Sequence, residues 1–512
     1  MGLQCRWRQG GNGWGTAMDD WLSRRWKVVA AVVVAVLVPL ILQSSLALMG
    51  MFGGHKMSWG ERVSRNEDYL YVSDQTLTNE DLEYIASLKR LSSLRIIDCD
   101  VAECRLRDLD FKGHELWYVD LSGTKGLWDL SFLGTIKADT VILNDCPKVD
   151  MIPELNWAEL RDLEINGTSV SDLSPLANSR LRHLSFRNTN VSDVTPLAKL
   201  GGELWRVDGS YSKVSSIDAL VACQELISLC FDGCPITEIK EPFACTYLHE
   251  LSLAGTQVSD LSAFSDCNHL ERLNLRGVKL SDMSWLNSQC RETLTALDLG
   301  QTGLNAQDVS WVASCRDLEE LVLDGIALGN LDLCQSLEGL TLLSAVNCKL
   351  TDASGIEGCS ELSTVLLGYN RLREIGTIPA HDADYPDMVL DLSHNQLSSV
   401  HGLPLAGYRL LLLQGNSAGV ARTLPAGVSG RMMVVDWYRG IQELDAFESD
   451  GFDTVYLLEC PEEELKDMPY SWSWMVKRAS EDDVLDMIEA DDLDYSLFID
   501  LGPYVREVRE LR

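Results

Sequence analysis

The chain has 512 residues, 46% of them apolar, and a formal net charge of −34 at neutral pH. The apolar fraction excludes a disordered chain. The acidic excess excludes nucleic acid as the main partner, because phosphate recognition needs a basic face.

Residues 1–27 form a leading tail. Val28 to Phe52 then reads VVAAVVVAVLVPLILQSSLALMGMF without a single charge, enough apolar chain to cross a bilayer as one helix. Arg24, Arg25 and Lys27 precede it. The positive-inside rule therefore predicts a single-pass cell-membrane protein with a cytoplasmic N-terminus and residues 53–512 outside. Lys56, Arg62 and Arg65 on the far side make that bias modest. A signal peptide cleaved near Ser45-Leu46-Ala47 is the competing reading. The long tail and the apolar run continuing past Ala47 favour an uncleaved anchor. Residues 53–90 read as a linker and a helical cap. Thr78 stands three residues before Asp81, which predicts a capped helix near 79–88.

From residue 91 to about 425 one phrase recurs. Leu160-x-x-Leu163-x-Ile165-x-x-Thr168-x-Val170 is followed by Leu181-x-x-Leu184-x-Phe186-x-x-Thr189-x-Val191. Further copies start at Leu226, Leu248, Leu270, Leu294 and Leu318, and a regular late one is VLDLSHNQL, with Leu390, Leu392, Asn395 and Leu397. Weaker copies surround Leu94, Val119, Val141, Val207, Leu343, Val365 and Leu411. The period is about 19–25 residues, within the range of repeat solenoids. Within each copy the last two leucines alternate with polar residues, the mark of a strand with one buried face. One such strand cannot bury its leucines alone, so neighbouring coils must stack. Pro175 and Pro196 cannot sit in a central strand and are expected on the return side.

The repeats resemble the leucine-rich repeat family, and SDLSPL and SDVTPL are similar to the bacterial, internalin-type turn. The resemblance implies an α/β solenoid, a horseshoe with a parallel β-sheet on its concave side. The family has Asn at the turn after the strand. Here Thr124, Cys146, Thr168, Thr189, Ser212, Cys234, Thr256 and Thr302 occupy it, and only Asn370, Asn395 and Asn416 follow the rule. The middle coils are therefore expected to be less regular than the C-terminal ones.

Seven of the fifteen cysteines fall at one repeat position: Cys223, Cys245, Cys267, Cys290, Cys315, Cys334 and Cys359. Zinc spacing is missing, so they read as a column of small buried side chains. Stacked coils hold parallel Cβ atoms about 4.8 Å apart, wider than a disulfide prefers, which predicts mostly free thiols. Residues 426–512 lose the repeat and carry 22 acidic and 8 basic residues. They read as a small acidic α/β cap with strands in RMMVVDWY and DTVYLLEC and a helix capped by Ser480.

No H-E-x-x-H, G-x-S-x-G or phosphate-loop motif is present. The chain reads as a non-enzyme, with no expected metal or cofactor. The x positions of each repeat should project from the concave sheet. Arg182, Arg187, Trp205 and Arg206 form a basic-aromatic island there, with His249 and Arg276 further along. Trp and Arg are enriched where binding energy concentrates, which makes these six the candidate partner contacts. The alternative for Trp205 is packing beneath Tyr211. The expected function is extracytoplasmic recognition of a protein or a surface polymer, with the membrane reached through the N-terminal helix. A cytosol-facing scaffold, favoured by the cysteine column, and an enzyme with its site in 430–512 are the rivals.

Overall fold

The computed structural model describes residues 55–111, 116–154, 157–243, 246–379, 388–405, 407–436, 452–461, 476–480 and 483. The expected membrane span, 28–52, lies outside them, as do the leading tail and most of 426–512. Among the described residues no helix is long and apolar enough to cross a membrane.

Among the described residues nineteen strands form one parallel sheet in chain order, from Tyr69–Ser73 to Val476–Ala479. The repeat leucines line up coil upon coil: Leu163 pairs with Leu184, Leu184 with Val207, Val207 with Leu229, Leu229 with Leu251, and Leu251 with Leu273. All six are buried. The strands are mostly three residues long because one inward leucine per coil is what the shared core requires. This is the leucine-rich repeat solenoid.

The SDLSPL phrase has a local cause. Asp172 Oδ1 accepts the Ser174 N–H at 2.7 Å, and Asp193 Oδ1 accepts the Thr195 N–H at 2.8 Å. Each aspartate caps a short 3-10 turn on the return side, Ser174–Leu176 or Thr195–Glu203, the latter broken at Gly201. Pro175 and Pro196 stand at the first positions of these turns, where a missing N–H costs nothing. Asp129, Asp260 and Asp282 make the same bond to the residue two further on.

The turn after the strand explains the Thr-for-Asn exchange. Asn370 Nδ2 donates to Ala345 O at 2.8 Å in the preceding coil and to Leu367 O at 3.0 Å in its own. Its Oδ1 accepts from Cys348 N and Leu350 N. Thr168, Thr189, Thr256 and Thr302 donate only to the carbonyl three residues back. Cys146, Cys234 and Cys348 instead reach the preceding coil through sulfur, to Leu121 O, Gly209 O and Leu323 O. The middle coils keep the in-register pairing while satisfying fewer backbone groups through side chains.

The sheet is wider than the sequence suggests at both ends. Tyr69–Ser73 already pairs with Ser93–Ile97, inside the expected cap, and Ser429–Asp436, Phe452–Leu458 and Val476–Ala479 continue the ladder past residue 425. Over the described part of 426–512 the parallel ladder therefore continues. Its strands keep inward apolar residues, Met433, Val435, Val455 and Leu457, after the repeat phrase itself has decayed. The N-terminal helix is Asn79–Ala86, with the expected capping box: Thr78 Oγ1 accepts from Asp81 N, and Asp81 Oδ2 accepts from Thr78 N at 2.9 Å.

Twelve described cysteines are free, as the coil spacing suggests, and Cys267 is disulfide-bonded. In the shared column, burial lifts the thiols of Cys223, Cys315 and Cys359 to about 11, 12 and 11. Such thiols are poor nucleophiles.

A concave face divided into an open and a closed half

The registers fix which side chains share the concave face. His183, Arg206, Ser228, Glu250 and Arg272 stand side by side in successive strands, one residue before the inward leucine. Glu164, Ser185, Asp208, Cys230, Ser252 and Asn274 form the column one residue after it. Arg182, Trp205, Ile227 and His249 lie one residue before the strands, joined by backbone bonds such as Trp205 N–H to Arg182 O at 2.8 Å.

The six expected contacts separate into three groups. Arg182, Trp205 and Arg206 come together. The Arg182 guanidinium lies 4.4 Å from the centre of the Trp205 ring, and the His183 ring is 6.3 Å away on the same side of the sheet. Trp205 is half-buried by these neighbours, so it exposes less ring than an outward tryptophan would, and Arg182 covers it where Tyr211 was the expected cover. Tyr211 itself is exposed, in a left-handed turn with φ of 59°, and its ring lies over Gly233. Arg206 is exposed at the middle of this group.

Arg187 is exposed and paired within the chain. Its guanidinium donates to Asp208 Oδ2 at 2.8 Å and sits 5.8 Å from the Tyr211 ring. His249 Nδ1 is 2.9 Å from Glu271 Oε1, so it is part of an ion pair when protonated. His183 likewise pairs with Asp162.

Arg276 departs furthest from expectation. It is not a surface contact. Its side chain is 14% exposed and bridges two buried carboxylates, Asp298 at 3.4 Å and Asp324 at 2.9 Å. Repeat position placed it on the concave side, but Gly300 in the next coil leaves room for the guanidinium to lie down against the sheet; a Cβ there would meet Arg276 Nη1 at 2.5 Å. Asp324 Oδ1 also accepts from Ser344 Oγ at 2.6 Å and Val346 N at 3.0 Å. Burial lifts the Asp298 carboxyl to about 6 against the opposing pull of Arg276. Burial also raises Asp232, which accepts from Ser252 Oγ and Ala254 N.

This cluster marks a boundary. Before it the concave face is open and polar. In the strands that follow it both faces of the sheet are buried: Glu320–Val322, Leu342–Ser344 and Thr364–Leu366 have no exposed residue. The outward positions turn apolar, and Val346, Leu366, Val389, Leu410, Leu412, Val434 and Leu458 form a second hydrophobic cluster apart from the main core. The signal was readable. GYRLLLL and MVLDL are near-continuous apolar runs, the pattern of strands covered on both sides, where the earlier copies alternate.

The sequence reading also missed an aromatic group at the first coils. Tyr69, Tyr71 and Trp117 are about half exposed beside Tyr118. Among the described residues no cluster of three or more His, Cys, Asp or Glu could hold a metal ion.

No family model matches the chain, and no curated protein does. Solved structures do. The chain is similar to a leucine-rich repeat protein of Leptospira interrogans, with a TM-score of 0.52 at 18% identity over 67% of this chain and 89% of that one. That likeness shows the fold. An internalin of Listeria monocytogenes matches at 21% identity and a TM-score of 0.45, over 62% of this chain and 86% of that one. A plant peptide hormone receptor, solved in complex with RGF2, matches at 14% identity and a TM-score of 0.46, over 82% and 78%.

Proposed function

We propose that the protein is a recognition scaffold that captures another protein on the open half of its concave sheet. One observation carries this. From Asp162 to Asn274 the outward strand positions flanking the inward leucine are exposed or half-exposed in most coils, include Arg and His, and contain no lysine. Interfaces are enriched in Tyr, Trp and Arg and depleted in Lys, because planar groups lose less entropy when ordered. Arg182, Trp205 and Arg206 are its centre: a stacked cation and ring beside an exposed guanidinium. In this reading the chain is not an enzyme and uses no cofactor. Residues 28–52 anchor it in the cell membrane, with the solenoid displayed outside.

A photo-crosslinker placed at position 183, which is exposed and in register with Arg206, should trap a discrete partner on intact cells. The double change Trp205→Ala with Arg206→Ala should abolish that product while leaving the solenoid folded. An unchanged product would reject the site. Protease shaving of intact cells should remove the solenoid; full protection would reverse the topology and favour the cytosol-facing scaffold.

A further inference from the structure

The first three coils carry a second surface. Tyr69 and Tyr71 project from one strand, Arg95 from the next and Tyr118 from the third, with Tyr69 in register with Ser93 and Tyr118, and Tyr71 with Arg95 and Asp120. Trp117 stands at the strand's edge, 55% exposed, with its ring 5.8 Å from that of Tyr118 and steeply inclined to it. The Arg95 guanidinium lies between two rings, 5.7 Å from Tyr71 and 5.9 Å from Tyr118. It donates to Asp120 Oδ2 at 3.2 Å. Asp120 Oδ1 in turn accepts from Ser122 N and Ser122 Oγ.

The charges in this patch cancel internally. Arg95 is spent on Asp120, and Asp120 on Arg95 and Ser122, so neither draws a partner of opposite sign. The net charge of −34 repels polyanions as well. What remains is a set of half-open ring faces with phenol hydroxyls at their rims. A ligand that fits has flat C–H faces, many hydroxyls and no charge. We propose that the aromatic patch of the first three coils binds a neutral polysaccharide, with Trp117 and Tyr71 stacking on sugar faces and the exposed part of the Arg95 guanidinium donating to hydroxyls. Three strands span about 10 Å, room for a short run of sugar units. This site is separate from the Arg182–Trp205–Arg206 contact and does not depend on it.

The test is calorimetric titration of the full chain with neutral hexasaccharides of β-linked glucose and of β-linked N-acetylglucosamine, with polygalacturonate as the charged control. At least one neutral ligand should bind and the polyanion should not. Trp117→Ala and Tyr71→Ala should each weaken binding about ten-fold, the size of one lost stacking contact. Trp128→Ala, an equally exposed tryptophan elsewhere, should leave it unchanged. Both substituted rings are exposed, so circular dichroism should match the parent. Silence with both neutral ligands, or binding indifferent to Trp117 and Tyr71, overturns the proposal. So does a protein partner whose capture is lost on Trp117→Ala while the sugars do not bind.

Discussion

Replacing Arg276 with Met tests the boundary cluster. The change removes one guanidinium from between two carboxylates, Asp298 at 4% exposure and Asp324 at 1%. Breaking a buried ion pair by removing one partner costs about 3–5 kcal/mol. Here the lower end applies, since Asp324 keeps Ser344 Oγ and Val346 N, and Asp298 keeps Gly300 N at 2.8 Å. The loss should depend on pH. The Asp298 carboxyl titrates near 6 in the folded chain, above its ordinary 3.8. The folded state therefore takes up a proton before the unfolded state as pH falls, and stability contributed by this group rises from about pH 7 down to about 4. Losing Arg276 lifts that carboxyl further, so the variant's deficit should shrink as pH falls from about 7.5 to about 5. Coils of a solenoid open locally. The assay is accordingly hydrogen exchange at strands Ala296–Asp298 and Glu320–Val322 at the two pH values, beside urea midpoints. A deficit under about 1 kcal/mol, or one equal at both pH values, would refute the buried-pair account.

Gly300→Ala should disturb the same cluster, since a Cβ 2.5 Å from Arg276 Nη1 must push the guanidinium off Asp298; faster exchange at Ala296–Asp298 and a lower urea midpoint are the readouts. Asn370→Ala should cost about 3 kcal/mol, because Cys348 N and Leu350 N lose their buried acceptor, whereas Thr256→Ala loses one bond within its own coil and should cost about 1 kcal/mol. Equal losses would show that bonding across coils is unimportant. Thr78→Val removes the hydroxyl that accepts from Asp81 N and should fray helix Asn79–Ala86 by about 1 kcal/mol, read as faster exchange confined to that helix.

The core was legible because it rests on a single periodic requirement. A leucine that must face the spine in every coil leaves its mark every two dozen residues, and the registers Leu163–Leu184 and Leu229–Leu251 follow from it. Thr78 and Asp81 were legible for a similar reason: a cap is a local bond between residues three apart. The binding face was harder to read. Whether an outward Arg is free depends on what stands one coil away, about two dozen residues along the chain. Arg206 and Arg276 look alike in sequence, yet Arg276 meets Asp298, Asp324 and the gap at Gly300. Tyr69 and Tyr71 were hidden by a different cause. They precede the first recognisable repeat, so nothing in the phrase marked them as strand residues. Their exposure matters because a terminal coil is usually blunted. A solenoid end has one neighbour instead of two, and rings left open there are costly unless something covers them. The later coils are heavily buried, with apolar residues on both sides of the sheet from Leu342 onward, while the first coils stay open. Stability alone would favour covering both. The asymmetry places the exposed rings at a part of the concave face still free to meet a ligand, which is why Trp117 and Tyr71 are better candidates for contact than their weak repeat signature suggests.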